Sequence, residues 1–172
     1  MRARTIAGVL LASVLLAGCT NNDLFGLAGN TAESANSGGI DQSALPNYEQ
    51  DSPEYFAYQV GDRVFFLVDQ STITEEASAT LRQQAEWLNA NSDYTITVEG
   101  HADEQGTREY NLALGARRAA AVKDFLVGVG IATHRISTVT YGKERPVAAC
   151  SDESCWSQNR RSVTLINSEL TG

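Results

Sequence analysis

The chain is poor in the residues that most enzymes and metal sites are built from. Its 172 residues include two histidines, three cysteines, three prolines and one methionine. With two histidines and no acidic cluster at a zinc-like spacing, the sequence gives no basis for a metal site. It has no Gly-x-Ser-x-Gly elbow, no phosphate-cradling glycine loop followed by lysine and no His-Glu-x-x-His, so no catalytic residues and no cofactor are assigned. Gly128-Val129-Gly130 falls at the end of a predicted helix, the wrong place for a dinucleotide fingerprint. Basic residues are also scarce, 13 against 21 acids, for a formal charge of −8. That balance argues against generic nucleic-acid binding and against polybasic attachment to anionic lipid. Long apolar runs are missing beyond the first twenty residues, and there is no internal repeat.

The chain does have a processing signal. Arg2 and Arg4 precede an apolar run, Ile6 to Leu16, which is too short to span a bilayer as a mature helix. Leu16-Ala17-Gly18-Cys19 then matches a bacterial lipobox, in which the Cys19 thiol accepts a diacylglycerol. The expected organisation is a signal peptide over 1–18, a flexible tether over 19–54 starting at lipidated Cys19, and one domain over 55–172. Cleavage removes two basic residues and no acids, taking the formal charge to −10. Thr20 rather than Asp after the cysteine favours sorting to the outer membrane, with the domain facing the periplasm. The tether is rich in Asn, Ser, Gly and Ala. It could reach ~120 Å fully stretched, with a random-coil span nearer ~33 Å. Leu24-Phe25-Gly26-Leu27 is its one apolar break.

Within the domain, Arg63 to Val68 is a continuous apolar run of the kind expected in a central strand. Thr72-x-x-Glu75 supplies a capping box, with Ala77, Leu81, Ala85 and Leu88 following at helical spacing. Thr95 to Val98 alternates as a half-buried strand. A second helix is predicted from about Thr107 to Val127, ended by Gly128 and Gly130. Ile136–Tyr141 and Arg161–Ile166 complete the strands, with Val163 and Leu165 expected to face in and one of Arg160 and Arg161 to face solvent at the start of an edge strand. The order β-α-β-α-β-β predicts an α+β fold, a mixed four-stranded sheet covered by two helices.

The second helix carries an anomaly. At ~100° per residue from Leu114, Phe125 lies near 20°, Val129 near 60° and Val122 near 80°. Arg118 falls near 40° and Asn111 near 60°, inside the apolar stripe. A guanidinium stays charged, so an inward one requires an anion or a wet groove. Asp103, at the end of the preceding strand, is the nearest acid in the loop, and a carboxylate and guanidinium on one groove suit a zwitterionic amino-acid head. The plain alternatives are an Asp103–Arg118 staple from loop to helix, Asn111 as a helix-start residue bonding the loop backbone, and Asp69 as a turn residue. His101 reads as a hydrogen-bonding residue under the loop.

Several blocks in order carry a resemblance: Glu99-Gly100-His101-Ala102-Asp103, Gly106-Thr107, Glu109-Tyr110-Asn111, Leu114-Gly115, Arg118-Ala119, Tyr141-Gly142-Lys143-Glu144-Arg145-Pro146 and Asn159-Arg160-Arg161. From about Asp62 to Ile166 the chain resembles the OmpA-like peptidoglycan-binding domains, above all those of the Tol–Pal lipoproteins. The resemblance implies an OmpA-like sandwich that binds the diaminopimelate of the peptidoglycan stem peptide. In it Asp103 takes the ammonium, Arg118 grips the carboxylate, and Asn111 and Asp69 line the pocket. Leu67 departs from the acidic or small residue common there. The implied partners are peptidoglycan, a periplasmic propeller protein of the Tol system and the outer membrane. The competing functions are an anchor for another wall-bound machine and a wall hydrolase, the latter lacking a visible catalytic set. With Cys19 lipidated, Cys150 and Cys155 remain as a pair in an oxidising compartment and are expected to form a disulfide. Replacing Asp103 or Arg118 is expected to abolish wall binding and to leave the fold largely intact.

Overall fold

A computed structural model describes residues 47–167. The expected signal peptide, the lipid site at Cys19 and the apolar Leu24–Leu27 segment lie outside the described residues. A short helical turn, Pro53–Tyr55, continues into the π-helical turn Phe56–Gly61. Then follow β1 (Arg63–Phe65), α1 (Glu75–Ala90), β2 (Thr95–His101), α2 (Arg108–Gly128), β3 (Ile136–Gly142), α3 (Glu153–Asn159) and β4 (Arg161–Asn167). The sheet order is β1-β4-β2-β3, antiparallel except for the β2–β3 pair. This is the expected mixed four-stranded α+β sheet, with α1 and α2 on one face; the short α3 was not anticipated.

Both long helices begin on a threonine. Thr74 accepts from the Ala77 N–H at 3.2 Å, two residues later than the cap predicted at Thr72, and Thr107 accepts from the Tyr110 N–H at 3.2 Å. Glu75 and Glu76 in the first turn of α1 suit the positive end of its dipole. The helices press Leu81, Leu88, Val122 and Leu126 against Ile96 and Val98 of β2, all at most 1 % exposed. Each such side chain contributes on the order of 1.5–3 kcal/mol by leaving water.

Three strand expectations are corrected. The apolar run from Arg63 is an edge strand, not a central one: Val64 and Phe66 are buried, whereas Phe65, Leu67 and Val68 are exposed. Its outer apolar side chains therefore lie along a surface hollow instead of a second packed layer. In β4 Val163 is buried as expected, at 8 % exposure, but it shares with Leu165, 41 % exposed, the face away from the helices, and Ser162, Thr164 and Ile166 are on the helix side. Because side chains alternate, a one-residue change in the assigned face inverts the whole strand. Thr164 is tolerated inside because its hydroxyl donates to Gln84 Oε1 at 3.0 Å, while Gln84 Nε2 donates to the Gly61 carbonyl at 2.7 Å. Finally, β4 is central, so Arg160 and Arg161 are both buried, at 4 % and 5 % exposure.

The position of α2 is set by two glycines. A Cβ on Gly100 of β2 would lie 1.9 Å from the Gly115 carbonyl oxygen, and one on Gly115 would lie 2.5 Å from Thr140 Oγ1. Bare backbones therefore touch, and α2 sits closer to the sheet than any side chain would allow. Arg118, three residues beyond Gly115, is carried over the end of β2 by this contact.

Candidate functional site

Beyond β2 the chain turns through Ala102–Gly106 before α2 starts. Gly106 takes φ +90°, a left-handed conformation that suits glycine. Asn111 in the first turn of α2 is 1 % exposed and donates from Nδ2 to the Gln105 carbonyl at 2.7 Å, bonding the loop backbone. Across from it lies the turn after β1, where Asp69 holds φ +57°, the left-handed conformation that Asp tolerates better than most residues. Tyr110 donates its hydroxyl to the Asp69 carboxylate. Between the two loops lies a groove of about 260 Å³, lined by Val68, Asp69, Asp103, Tyr110, Asn111 and Leu114 among others. Three of the four predicted binding residues therefore share one groove.

The fourth, Arg118, lies fully buried, with 0 % exposure. It does not form the staple to Asp103 that was the plain alternative to a binding role. Nε donates to the Gln70 carbonyl at 2.8 Å, Nη1 to the His101 carbonyl at 2.8 Å and Nη2 to the Leu67 carbonyl at 3.2 Å. The Phe66 ring lies 5.2 Å from its guanidinium carbon. Burial pushes the guanidinium down to about 10, with Asp103 the largest opposing influence, so it stays charged at neutral pH. Five N–H groups serve a guanidinium, and the three carbonyl bonds need only three of them.

Asp103, 7 % exposed, pairs instead with Arg160, whose Nη1 donates to Oδ2 at 3.2 Å; Oδ1 accepts from the Gln105 N–H at 3.2 Å. Sequence reading missed Arg160 as a site neighbour, although two adjacent arginines in an acidic chain are a signal that at least one has an anionic partner. A larger hollow of about 670 Å³ runs along β1 and the start of α1, on the other side of Arg160. Its exposed walls include Phe65 and Leu67, and it lacks the Asp69, Asp103 and Asn111 grouping, so the smaller groove is the better candidate.

His101 lies on the sheet face away from the helices. It is 1 % exposed, stacks on Tyr141 at 5.6 Å between centroids, and holds Nε2 3.3 Å from Glu99 Oε2. Its Nδ1 is buried and has no hydrogen-bond partner among the described residues. Burial, then Arg161 and Arg145, lowers the imidazole from 6.5 to about 4. The unfolded chain thus takes a proton that the folded chain refuses, and stability falls as pH drops from 6.5 to about 4. Urea midpoints measured across that window should fall in the wild type and stay flatter in His101→Gln; parallel curves for the two would refute the assignment.

Cys150 and Cys155 are joined, with Cα atoms 5.6 Å apart, and the bond staples the approach to α3 onto its first turns. Among the described residues no group of three or more metal-binding side chains is present, and no helix is long and apolar enough to cross a membrane.

Comparison with known proteins agrees with this architecture. The OmpA family model matches residues 65–160. A peptidoglycan-associated lipoprotein of Mesorhizobium japonicum is 52 % identical over 158 residues, 92 % of this chain and 89 % of that one. One from Pseudomonas aeruginosa is 39 % identical, covering 90 % of this chain and 92 % of its own. The crystal structure of the peptidoglycan-associated lipoprotein from Burkholderia pseudomallei superposes with a TM-score of 0.64 at 36 % identity, over 67 % of this chain and all of that one. The C-terminal domain of Helicobacter pylori MotB, at 20 % identity and a TM-score of 0.59, shares the fold. The chain belongs to the OmpA family, in its peptidoglycan-associated lipoprotein branch, and is a binding protein rather than an enzyme.

Proposed function

We propose that this lipoprotein holds the outer membrane to the cell wall without a covalent bond, taking the diaminopimelate end of a stem peptide in the groove beside Asp103. The observation that carries the reading is a buried, charged guanidinium whose partners are all carbonyls, set behind a groove lined by two carboxylates. The free amino-acid end of diaminopimelate is a zwitterion. Its ammonium is received by Asp103 and Asp69, and its carboxylate by Arg118, displacing the Leu67 or Gln70 carbonyl. Asn111 keeps the loop in register. A charge-assisted contact of this kind is worth roughly 1.5–3 kcal/mol. Recognition is local, because wall and protein are both anionic and gain nothing from bulk attraction.

Cys19 carries the lipid in this reading. Two acyl chains anchor stably where one would be marginal, and the tether that starts at Cys19 lets the domain search the wall; it ends before the expected residue 54, because Trp87 Nε1 donates to the Gln50 carbonyl at 2.7 Å and Tyr48 stacks on Tyr58. Its setting is the Tol–Pal system, in which the same domain alternates between peptidoglycan and a periplasmic propeller protein, supporting envelope integrity and constriction at division.

Co-sedimentation with purified sacculi is the test. Asp103→Asn preserves shape and removes the charge, and should weaken binding by about 10- to 150-fold, the ratio equivalent to that contact energy. Stem peptide containing diaminopimelate should compete, and a lysine-type stem lacking the second carboxylate should compete poorly. A folded Asp103→Asn protein that sediments as wild type would exclude this site.

A further inference from the structure

The short helix α3 touches the groove through one residue. Arg160, at the C-terminal end of α3, donates from Nη1 to Asp103 Oδ2 at 3.2 Å and to Glu153 Oε2 at 3.3 Å, from Nη2 to Glu153 Oε1, and from Nε to the Phe66 carbonyl at 3.2 Å. Glu153 opens α3 between the two bonded cysteines. Trp156 and Asn159 of the same helix donate to the Glu104 carboxylate at 2.6 and 3.5 Å, next to Asp103. The stapled helix is thus fastened to the site loop at two adjacent carboxylates.

We propose that Arg160 is a positioning residue for wall binding and that Glu153 sets how much of its charge Asp103 feels. This rests on the reading of the groove given above. Asp103 has one oxygen held by Arg160 and the other by the Gln105 N–H, which fixes its plane and leaves lone pairs on both oxygens for an incoming ammonium. A bare guanidinium at that distance would also neutralise the carboxylate and repel the ammonium. Glu153, gripping the same guanidinium through both of its oxygens, offsets that charge, and the Arg160 contact in turn holds the Glu153 carboxyl below the usual carboxylate range. Geometry is thereby kept while the site stays net attractive to a cation.

Glu153→Gln separates these two roles, since it keeps an acceptor for Arg160 and loses only the charge. Glu153 is 61 % exposed, so the thermal midpoint should stay near wild type. Sacculus affinity should fall about three- to tenfold at low salt, and the deficit should shrink in high salt as the charges are screened. In an Asp103→Asn background the same change should have no further effect. Arg160→Lys, which keeps the charge and loses the fork, should retain part of the binding that Arg160→Gln loses. If Asp103→Asn itself binds as wild type, the groove reading fails and this inference with it. If Asp103→Asn weakens binding while Glu153→Gln and a folded Arg160→Gln both match wild type, or if Glu153→Gln acts equally in both backgrounds, the positioning role alone is overturned.

Discussion

Arg118→Ala is expected to destabilise the domain by about 3–5 kcal/mol, enough to cost a large share of a small domain's stability. The side chain is fully buried and ties three separate segments together. The carbonyls of Leu67 and Gln70 belong to the turn after β1, and that of His101 to the end of β2. Alanine leaves all three without their donor and opens a cavity against Phe66. Burying the guanidinium has its own desolvation cost, so a well-fitting apolar replacement such as Arg118→Met should be less harmful than alanine. Urea unfolding of the three proteins checks the order; an Arg118→Ala midpoint equal to wild type would refute the structural role. The reading that either site residue can be removed with the fold largely intact therefore does not extend to Arg118. Lost sacculus binding by Arg118→Ala would confound unfolding with a missing ligand contact, which makes Asp103→Asn the cleaner probe.

How far the sequence could be read follows from which signals are local. The start of α2, the α1 stripe and β2 were legible because periodicity and caps act within a few residues, whereas the first cap fell at Thr74 and not at Thr72. Arg118 and Asn111 were legible as inward-facing for the same reason: angle around a helix depends only on spacing. Their partners were not. Arg118 bonds carbonyls 17 to 51 residues away, and backbone oxygens carry no sequence signature. Asp103 finds Arg160, 57 residues on, because β4 inserts between β1 and β2. The same insertion explains two of the three strand errors. It pushes β1 to the edge despite an apolar run typical of centres, and it buries two arginines that composition alone would put in water. In β4, Ser162 and Thr164 face the helices and Leu165 faces out, so hydropathy points to the wrong face. That face is held by the Thr164 hydrogen bond to Gln84 together with the packing of Ile166 on the core.

Gly100→Ala is expected to be the most damaging single-methyl change in the domain, because the added carbon meets rigid backbone. Its Cβ would stand 1.9 Å from the Gly115 oxygen, 2.6 Å from the Gly115 carbonyl carbon and 3.2 Å from Ala119 Cβ. No rotamer relieves a clash with main chain, so α2 must move away from β2 by more than an ångström. Overpacking typically costs 1–3 kcal/mol, and here the cost should reach about 3 kcal/mol or more, since a whole helix shifts. Gly115→Ala should be milder. Its Cβ meets a side-chain hydroxyl at 2.5 Å and the Gly100 oxygen at 2.8 Å, and replacing a mid-helix glycine returns about 1 kcal/mol of helix propensity. The functional consequence follows from what α2 carries. Moving the helix off β2 breaks the Arg118 bond to the His101 carbonyl and shifts Asn111 away from the Gln105 carbonyl. Gly100→Ala should therefore lose sacculus binding even at temperatures where circular dichroism shows it folded, whereas Gly115→Ala should bind more nearly as wild type. A Gly100→Ala protein with an unchanged melting midpoint and normal binding would mean that the glycine contact does not set the position of the site.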